Sequence, residues 1–172
     1  MPRLLEILII LLASPLWVPL LLVLALLVRC INGSPIFFRQ ERPGLYGKPF
    51  TIVKFRTMRD GNGSDAERTT RFGAFMRASS LDELPELLHV LSGKMALVGP
   101  RPLLMEYLDE YTEAEKHRHD VRPGITGWAQ VHGRNAITRA EKVQYDLEYV
   151  AKRSFLFDCK ILFMTLFHLR GN

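Results

Sequence analysis

Two adjacent carboxylates, Asp82 and Glu83, are the side chains in this sequence best suited to carry chemistry. The spacing Ser80-x-x-Glu83 has the form of a capping box, which predicts that both carboxylates lie in the first turn of a helix. Unpaired N–H groups and the helix dipole favour negative charge there, so the pair can simply mark a helix start. An ionised aspartate can also be a covalent nucleophile toward phosphorus, and a neighbouring glutamate can hold Mg²⁺.

Arginines in the surrounding segments favour the chemical interpretation. They are Arg77, Arg101, Arg122 and Arg134. Arg101 stands between two prolines, and a guanidinium held in such a stiff loop is suited to bidentate phosphate binding. An ordinary surface turn has the same composition. His117 and His119 lie in a cationic run, but their spacing does not suit one helix face, so neither is assigned as a metal ligand.

The motifs that are missing exclude several enzyme classes. The sequence has no GxxxxGK[ST], no GxGxxG after a strand, no HExxH and no GxSxG. These absences argue against a P-loop NTPase, a dinucleotide enzyme, a zinc protease and a serine hydrolase. Nucleic-acid-binding motifs are also absent, so no nucleic acid partner is expected. The only two cysteines suggest neither zinc nor a disulfide framework.

The first element that must position these residues is an uncharged apolar segment at 7–28. As a straight helix, about 22 residues would reach roughly 33 Å, enough to cross a hydrocarbon core of about 30 Å. Ser14-Pro15 and Pro19 interrupt the segment, and proline bends a helix. The residues alone leave two topologies open, a kinked span and a re-entrant hairpin with both ends on one side. In either case the basic body belongs on the cytoplasmic side.

The rest of the chain predicts an α+β fold, a mostly helical small domain with a β-hairpin. Alternating and β-branched residues indicate strands at 36–40 and 50–58, joined by a turn. Residues 60–70 and 122–127 are expected to be irregular, the first as a mobile loop. Apolar periodicity predicts helices at 72–77, from about 81 to 92, at 103–118, 140–152 and 156–169. The last of these is amphipathic and can pack on the core or lie in a membrane interface.

Four sequence blocks, taken in order, carry a resemblance to a known family. They are Lys54-Phe55-Arg56-Thr57-Met58, Ser80-Leu81-Asp82-Glu83-Leu84-Pro85-Glu86, Val98-Gly99-Pro100-Arg101-Pro102-Leu103 and Arg122-Pro123-Gly124-Ile125-Thr126-Gly127-Trp128-Ala129-Gln130. Together they closely resemble the bacterial sugar transferases, the monotopic phosphoglycosyl transferases. The similarity extends over nearly the whole chain. Each block alone is weak, but the four in this order are specific.

The resemblance implies a reaction, a cofactor and a place in the cell. Such enzymes transfer a phospho-sugar from a UDP-sugar to a polyprenyl phosphate, usually undecaprenyl phosphate, and release UMP with the help of Mg²⁺. This is the first membrane step of glycoconjugate biosynthesis, at the cytoplasmic face of the bacterial inner membrane. The family's Ser-Pro break matches Ser14-Pro15 and favours the re-entrant hairpin. The expected organisation is a membrane anchor at 1–31 and a cytosolic catalytic domain at 32–172, with interfacial amphipathic helices.

The resemblance also assigns roles to individual residues. Asp82 would attack the sugar-linked phosphorus and form a covalent aspartyl intermediate. Glu83 would assist with metal binding or proton transfer, and both carboxylates are expected Mg²⁺ ligands. Arg101 matches the proline-flanked phosphate-binding arginine, and Arg134 and Asp146 fall on functional positions of the family. With Arg122, these three residues are the expected substrate and phosphate ligands.

Two other functions remain compatible with the sequence. A non-catalytic membrane adaptor would bind anionic lipid through its basic surface, and a different nucleotide-sugar enzyme would transfer the sugar alone and release UDP. The sequence specifies neither the sugar, the polyprenyl length, the pathway nor the oligomeric state.

Overall fold

The computed structural model describes residues 1–133 and 136–168 of the chain. It is a mixed fold of helices and short sheets in which helices predominate, which confirms the predicted combination of a mostly helical body with a β-hairpin. Of His168 only the backbone is described.

The apolar N-terminal segment forms two helices, α1 (Arg3–Leu12) and α2 (Ser14–Ile31), which meet at Ala13. Ser14 donates from its hydroxyl to the Leu11 carbonyl over 2.7 Å at this junction. The break therefore falls at the predicted Ser-Pro position, while Pro19 lies inside α2 without ending it. Helix α2 is long and apolar enough to cross a membrane, with a mean hydropathy of 2.1.

The outer ends of α1 and α2 are both hydrogen-bonded to the body of the protein. Near the start of α1, Arg3 donates to the Met95 carbonyl at 3.3 Å and Glu6 accepts the Leu97 N–H at 3.1 Å. Directly after α2, Asn32 donates to the Arg56 carbonyl at 2.6 Å and accepts from Thr70 at 2.9 Å. Ile10 and Trp17, on either side of the junction at Ala13, also pack on the body, in one cluster with Ile52 and Val90.

The predicted β-hairpin is present. Strands β1 (Phe37–Pro43) and β2 (Pro49–Phe55) are antiparallel, with Phe37 opposite Phe55 and Pro43 opposite Pro49. The paired strands extend into the predicted turn, and a short 3₁₀ segment (Leu45–Gly47) closes them. Phe37 and Phe55 stack with their ring centroids 5.4 Å apart, a cross-strand pair that stabilises the register.

A second sheet contradicts the prediction of irregular structure at 122–127. Strands β3 (Ala96–Val98) and β4 (Gly124–Thr126) pair in parallel. The backbones of these two segments approach so closely that a Cβ on Gly124 would lie 2.1 Å from the Gly99 nitrogen. A side chain at position 124 is therefore excluded. Strands of three residues are too short to show a period, and the sequence signal was lost for that reason.

Seven more helices and three 3₁₀ segments complete the described chain. The helices are α3 (Asp65–Arg68), α4 (Arg71–Ala78), α5 (Leu87–Leu91), α6 (Glu113–Lys116), α7 (Trp128–Val131), α8 (Arg139–Lys152) and α9 (Phe155–His168). The 3₁₀ segments are Leu81–Glu86, Met105–Leu108 and His117–His119. Helices α4, α8 and α9 match predicted helices within a few residues.

The predicted continuous helix at 103–118 is wrong. A capping box starts a new helix inside it, where the Thr112 hydroxyl accepts from the Glu115 N–H and the Glu115 carboxylate accepts from the Thr112 N–H. A cap requires an extended residue, so the chain turns at Thr112 and leaves two 3₁₀ segments around α6. Ser64 and Glu67 form the same motif at the start of α3, inside the segment predicted to be a loop.

The core on the side of the second sheet joins β3, α7, α8 and α9 through the buried residues Val98, Trp128, Tyr149 and Ile161. Helix α9 buries Ile161 completely, whereas Phe163 and Leu166 on the same helix stay 61% and 63% exposed. Helix α9 also contributes Thr165 to the lining of a cavity next to Glu83.

Candidate active site

Asp82 and Glu83 lie in the first turn of the 3₁₀ segment that follows α4. The predicted capping box is wrong, because Ser80 makes no hydrogen bond from its side chain to this turn and has φ +58° and ψ +18°, a left-handed conformation. An N-cap residue needs an extended backbone. Ser80 instead terminates α4, with its N–H donated to the Arg77 carbonyl at 3.2 Å.

Glu83 is held by two cations. Lys54 Nζ, from β2, lies 2.6 Å from Glu83 Oε1, and the Arg101 guanidinium donates to both carboxylate oxygens. Burial opposes the negative charge, but Arg101 and Lys54 outweigh it and lower the pKa of Glu83 to about 2. Glu83 is therefore ionised at neutral pH and fixes the position of the Lys54 ammonium and the Arg101 guanidinium.

Asp82 is in a different state from its neighbour. Among the residues the structure describes, no lysine or arginine nitrogen lies within 4 Å of its carboxylate. Burial and the adjacent charge of Glu83 raise the pKa of Asp82, against the weaker opposing effect of Lys54. A carboxylate with this environment is poorly neutralised and retains a nucleophilic oxygen.

A third carboxyl, Glu86, was missed by the sequence analysis. Its side chain is 2% exposed and lies 3.1 Å from Lys54 Nζ, so this ammonium is shared between Glu83 and Glu86. Burial, followed by the charge of Glu83, raises the pKa of Glu86 to about 7. Both Lys54 and Glu86 stand in the blocks that carry the family resemblance, so the signal was available.

The Asp82–Glu83 turn borders a cavity of about 420 Å³. Its polar wall consists of Arg77, Ser80, Glu83, Arg101, Thr126, Gln130, Lys142, Asp146 and Thr165. Its apolar wall includes Leu84, Leu87, Leu103, Ile125 and Val131. A pocket of this size with few convergent charged groups suits a small charged ligand that also carries apolar surface.

Asp146 reaches this cavity from α8 and is bound by a residue that sequence analysis missed, Arg118. The Arg118 guanidinium lies 2.6 Å from Asp146 Oδ2, and the two side chains are only 1% and 2% exposed. The same guanidinium donates to the Arg101 carbonyl at 2.8 Å. The buried pair thus supports the loop that presents Arg101. The sequence offered no signal for it, because Arg118 stood in a cationic run that resembles a solvated surface.

Of the other two predicted arginines, only Arg122 is among the residues that the structure describes. Arg122 donates to the Gly93 carbonyl at 3.0 Å, and it is not among the described residues that line the cavity. Arg134 lies outside the described residues. The cavity therefore brings together Glu83, Arg101 and Asp146, three of the six predicted site residues. Asp82 is the chain neighbour of Glu83 and is not among the described residues that line the cavity.

The donor set fits Mg²⁺ only as an ion shared with substrate phosphates. In the described ranges no cluster of three or more carboxylate, histidine or cysteine side chains could hold a metal alone. Asp82 offers a carboxylate without a cationic partner, and Glu83 adds an adjacent one already bound by two cations. Mg²⁺ is commonly held by one or two carboxylates together with phosphate oxygens and water, which matches this sparse set.

Comparison with known proteins decides the family. The family model for bacterial sugar transferases matches residues 1–171 of the 172. The chain belongs to the bacterial sugar transferase family. Within this family it is 56% identical to the uncharacterized sugar transferase EpsL of Bacillus subtilis (strain 168), over 81% of this chain and 72% of that protein.

Two further family members have names that specify substrates. The chain is 42% identical to the UDP-glucose:undecaprenyl-phosphate glucose-1-phosphate transferase of Xanthomonas campestris pv. campestris, over 91% of this chain and 36% of that protein. It is 37% identical to a UDP-N-acetylgalactosamine-undecaprenyl-phosphate N-acetylgalactosaminephosphotransferase of Aeromonas hydrophila, over 90% of this chain and 40% of that protein. The chain therefore spans well under half the length of these two relatives.

Proposed function

We propose that this sugar transferase moves a phospho-sugar from a UDP-sugar to a polyprenyl phosphate, with undecaprenyl phosphate as acceptor, and releases UMP. This would be the first membrane step of glycoconjugate biosynthesis. The observation that carries the proposal is the contrast within the carboxylate pair, since Glu83 holds Lys54 and Arg101 while Asp82 has no described cationic partner. The names of the two substrate-specified relatives supply the substrate classes.

In the first step, an Asp82 carboxylate oxygen attacks the phosphorus that bears the sugar. The new bond is an acyl-phosphate P–O bond, and the bond between this phosphorus and the oxygen bridging to UMP breaks. UMP leaves with that oxygen and its electron pair. The raised pKa of Asp82 is consistent with an unneutralised and therefore more basic carboxylate.

In the second step, a phosphate oxygen of the lipid acceptor attacks the same phosphorus. The bond to the Asp82 oxygen breaks, the carboxylate is regenerated, and the product is a polyprenyl diphosphate sugar. Both steps transfer a phosphoryl group between two oxygens, so no redox partner is needed. An aspartyl intermediate divides one displacement into two steps at one phosphorus.

The charged groups around Asp82 stabilise charge that develops on the phosphoryl oxygens. Arg101 is 40% exposed and lines the cavity, so its guanidinium can bind an incoming phosphate. Glu83 keeps Arg101 and Lys54 in place before substrate binds, and such preorganisation is the main source of electrostatic catalysis. A bound Mg²⁺ held by Asp82 and Glu83 would neutralise part of the diphosphate charge.

A membrane location follows from the same proposal, because a polyprenyl phosphate presents its charged group at the bilayer surface. The hydrogen bonds that tie the start of α1 and the end of α2 to one body support a re-entrant hairpin rather than a span. We assign the anchor at 1–31 to the inner leaflet of the bacterial inner membrane and the body at 32–172 to the cytoplasmic face. The exposed apolar residues of α9 would lie in the interface.

The decisive experiment identifies the nucleotide released by the detergent-purified full chain. UDP-glucose and UDP-N-acetylgalactosamine, each with undecaprenyl phosphate, are incubated with and without Mg²⁺. We expect UMP with at least one UDP-sugar, dependent on Mg²⁺. With a donor labelled in the sugar-linked phosphate, label should remain on the denatured wild-type protein and be absent from Asp82→Asn.

Each alternative result points to another function. Release of UDP would indicate transfer of the sugar alone, and full turnover by Asp82→Asn would exclude the aspartyl intermediate. Binding to anionic vesicles that salt abolishes, without any nucleotide release across UDP-sugars, would indicate a membrane adaptor. For the anchor, a tag at residue 1 that is reachable only from the periplasm would exclude the hairpin.

A further inference from the structure

Ser80 occupies a backbone conformation that its residue type does not favour. It follows the last residue of α4 by two positions and has φ +58° and ψ +18°. A residue in the left-handed conformation after a helix end is usually glycine, because a Cβ raises the energy of positive φ. Among described residues other than glycine, only Ser80 and Tyr46 have positive φ. A positive φ at a residue with a side chain therefore suggests that the side chain has a function that glycine could not supply.

The hydroxyl of Ser80 has no structural task in the described part of the chain. It makes no hydrogen bond there, whereas the hydroxyl of the preceding Ser79 lies 2.8 Å from the Phe75 carbonyl and 3.2 Å from that of Met76. Ser79 therefore helps to end α4 and Ser80 does not, apart from its backbone. A serine that is strained and unbonded is not explained by folding.

The surroundings of Ser80 point to a phosphate as the missing partner. Ser80 lines the cavity together with Arg77, Arg101 and Glu83. Its carbonyl accepts the Glu83 N–H at 3.2 Å, so it is the first link of the turn that carries the carboxylate pair. Two arginines on one wall concentrate positive charge where a diphosphate would bind, and a free hydroxyl between helix end and carboxylate turn can donate to it.

From this geometry we propose that the Ser80 hydroxyl donates a hydrogen bond to a phosphate oxygen of the UDP-sugar bound in the cavity. The proposal rests on the proposed function and adds a substrate-binding residue to it. An N-cap serine would have used its hydroxyl for the turn that follows it, whereas the Ser80 hydroxyl makes no hydrogen bond in the described part of the chain. Glycine would suit the backbone better but would lack the donor.

Two substitutions separate the hydroxyl from the backbone. Ser80→Gly relieves the positive φ and removes the donor, so its melting temperature should rise by about 2–4 °C. Ser80→Ala keeps the strain and removes the donor, so its melting temperature should stay within about 1 °C of wild type. Both should lower kcat/KM for UDP-sugar in UMP release by about ten- to a hundredfold, as expected for a hydrogen bond to a charged group.

Two controls match these variants. Ser79→Ala removes a neighbouring hydroxyl that is bonded to α4, and it should lower the melting temperature without changing KM for UDP-sugar. Tyr46→Gly relieves the other positive φ, in the turn between β1 and β2, and it should leave kcat/KM unchanged. If the Ser80 hydroxyl is a donor, Ser80→Gly is the only one of the four variants in which the melting temperature rises while kcat/KM falls.

The result that overturns the proposal is wild-type kcat/KM in Ser80→Gly, with or without added stability. A lower melting temperature in Ser80→Gly would also overturn it, because the strained conformation is then wrong. If wild type releases no UMP from any UDP-sugar, the proposed function fails first, and UDP binding by calorimetry then tests the serine. An at least tenfold weaker affinity for UDP in Ser80→Ala supports the donor, and equal affinity overturns it.

Discussion

Arg101 takes part in two groups of charged side chains that differ in exposure. Its guanidinium belongs to an open cluster with Lys54 and Glu83, where the side chains are 15–40% exposed and Glu83 and Arg101 border the cavity. Its carbonyl accepts from the closed pair, Arg118 with Asp146, where both side chains are at most 2% exposed. Ion pairs next to a cavity can exchange partners with a ligand, whereas a fully buried pair has no such freedom.

The difference separates a site from its support. The carboxyl groups in and next to the open cluster have opposed pKa shifts. The pKa of Glu83 is lowered, while those of its neighbours Asp82 and Glu86 are raised. Clusters with opposed pKa shifts are typical of functional sites. The closed pair positions the loop of Arg101 through the hydrogen bond to the Arg101 carbonyl. Burial raises the pKa of Asp146 here, and Asp146 Oδ1 has no hydrogen-bond partner among the described residues. We therefore expect substitutions in the open cluster to affect activity most and substitutions in the closed pair to affect stability most.

The largest expected effect is the loss of activity in Asp82→Asn. Removal of the nucleophile should lower kcat for UMP release by on the order of a thousandfold or more. The melting temperature should be equal to or above that of wild type, because the amide avoids the cost that raises the pKa of this carboxyl. Stability is followed by thermal unfolding in detergent. A markedly less stable protein would show that Asp82 supports the fold.

The next effect is on stability, in the closed pair. Arg118→Met leaves Asp146 buried without its cation, which should lower the free energy of unfolding by about 3–5 kcal/mol and the melting temperature by roughly 10 °C. The double variant Arg118→Met with Asp146→Leu should recover most of this loss, because it removes both charges. Arg122→Met is the matched control, because Arg122 is exposed and its guanidinium donates to the Gly93 carbonyl rather than to a carboxylate. If the double variant is as unstable as the single one, the pair stabilises the fold through its hydrogen bonds and packing and not only by neutralising the Asp146 charge.

Particular residues show how much of the division between the open cluster and the closed pair the sequence could predict. The β-hairpin and helix α8 depend on local patterns, and these predictions are confirmed. The two apolar helices meet at Ala13, directly before the predicted break at Ser14-Pro15. The open cluster could be predicted in part, because Glu83 and Arg101 stand in recognisable blocks. Arg118 could not, since its partner is 28 residues away and the carbonyl it holds is 17 residues away.

The error at Ser80 has a related cause. The letters Ser-x-x-Glu fit a residue that begins a helix, but the same serine can end the preceding one. Which of these occurs depends on φ, and Ser80 has the left-handed value that excludes the N-cap role. The parallel pairing of β3 with β4 was also invisible, because it depends on contact between distant glycines rather than on a period.

A smaller effect sharpens the contrast inside the carboxylate pair. Glu83→Gln is the same isosteric change as Asp82→Asn one residue along, but it leaves Lys54 and Arg101 without their shared anion. The free energy of unfolding should fall by about 1.5–3 kcal/mol, the usual cost of losing hydrogen bonds to a charged group. Chemical denaturation of both variants measures the difference. Equal stability of the two variants would mean that the contacts of Glu83 with Lys54 and Arg101 do not distinguish it from Asp82.

The smallest expected effect concerns Glu86 and appears only as pH dependence. A folded-state pKa raised from 4.5 to about 7 means that the native protein keeps a proton that the unfolded chain has lost. The associated stability is fully present below about pH 4.5 and is lost as pH rises through 7. Glu86→Gln keeps the shape and an acceptor for Lys54 but cannot titrate.

The test compares the free energy of unfolding of wild type and Glu86→Gln at pH 5 and at pH 7.5. Wild type should lose about 1–2 kcal/mol more than the variant over this interval, below the limit of about 3 kcal/mol that the shift allows. The difference between the two proteins cancels the titration of Asp82 and of the histidines, which both share. Glu86 lies against Lys54, between the open cluster and the core. Parallel pH profiles of the two proteins would mean that Lys54 neutralises both Glu83 and Glu86. The open cluster would then be as well neutralised as the buried pair of Arg118 and Asp146.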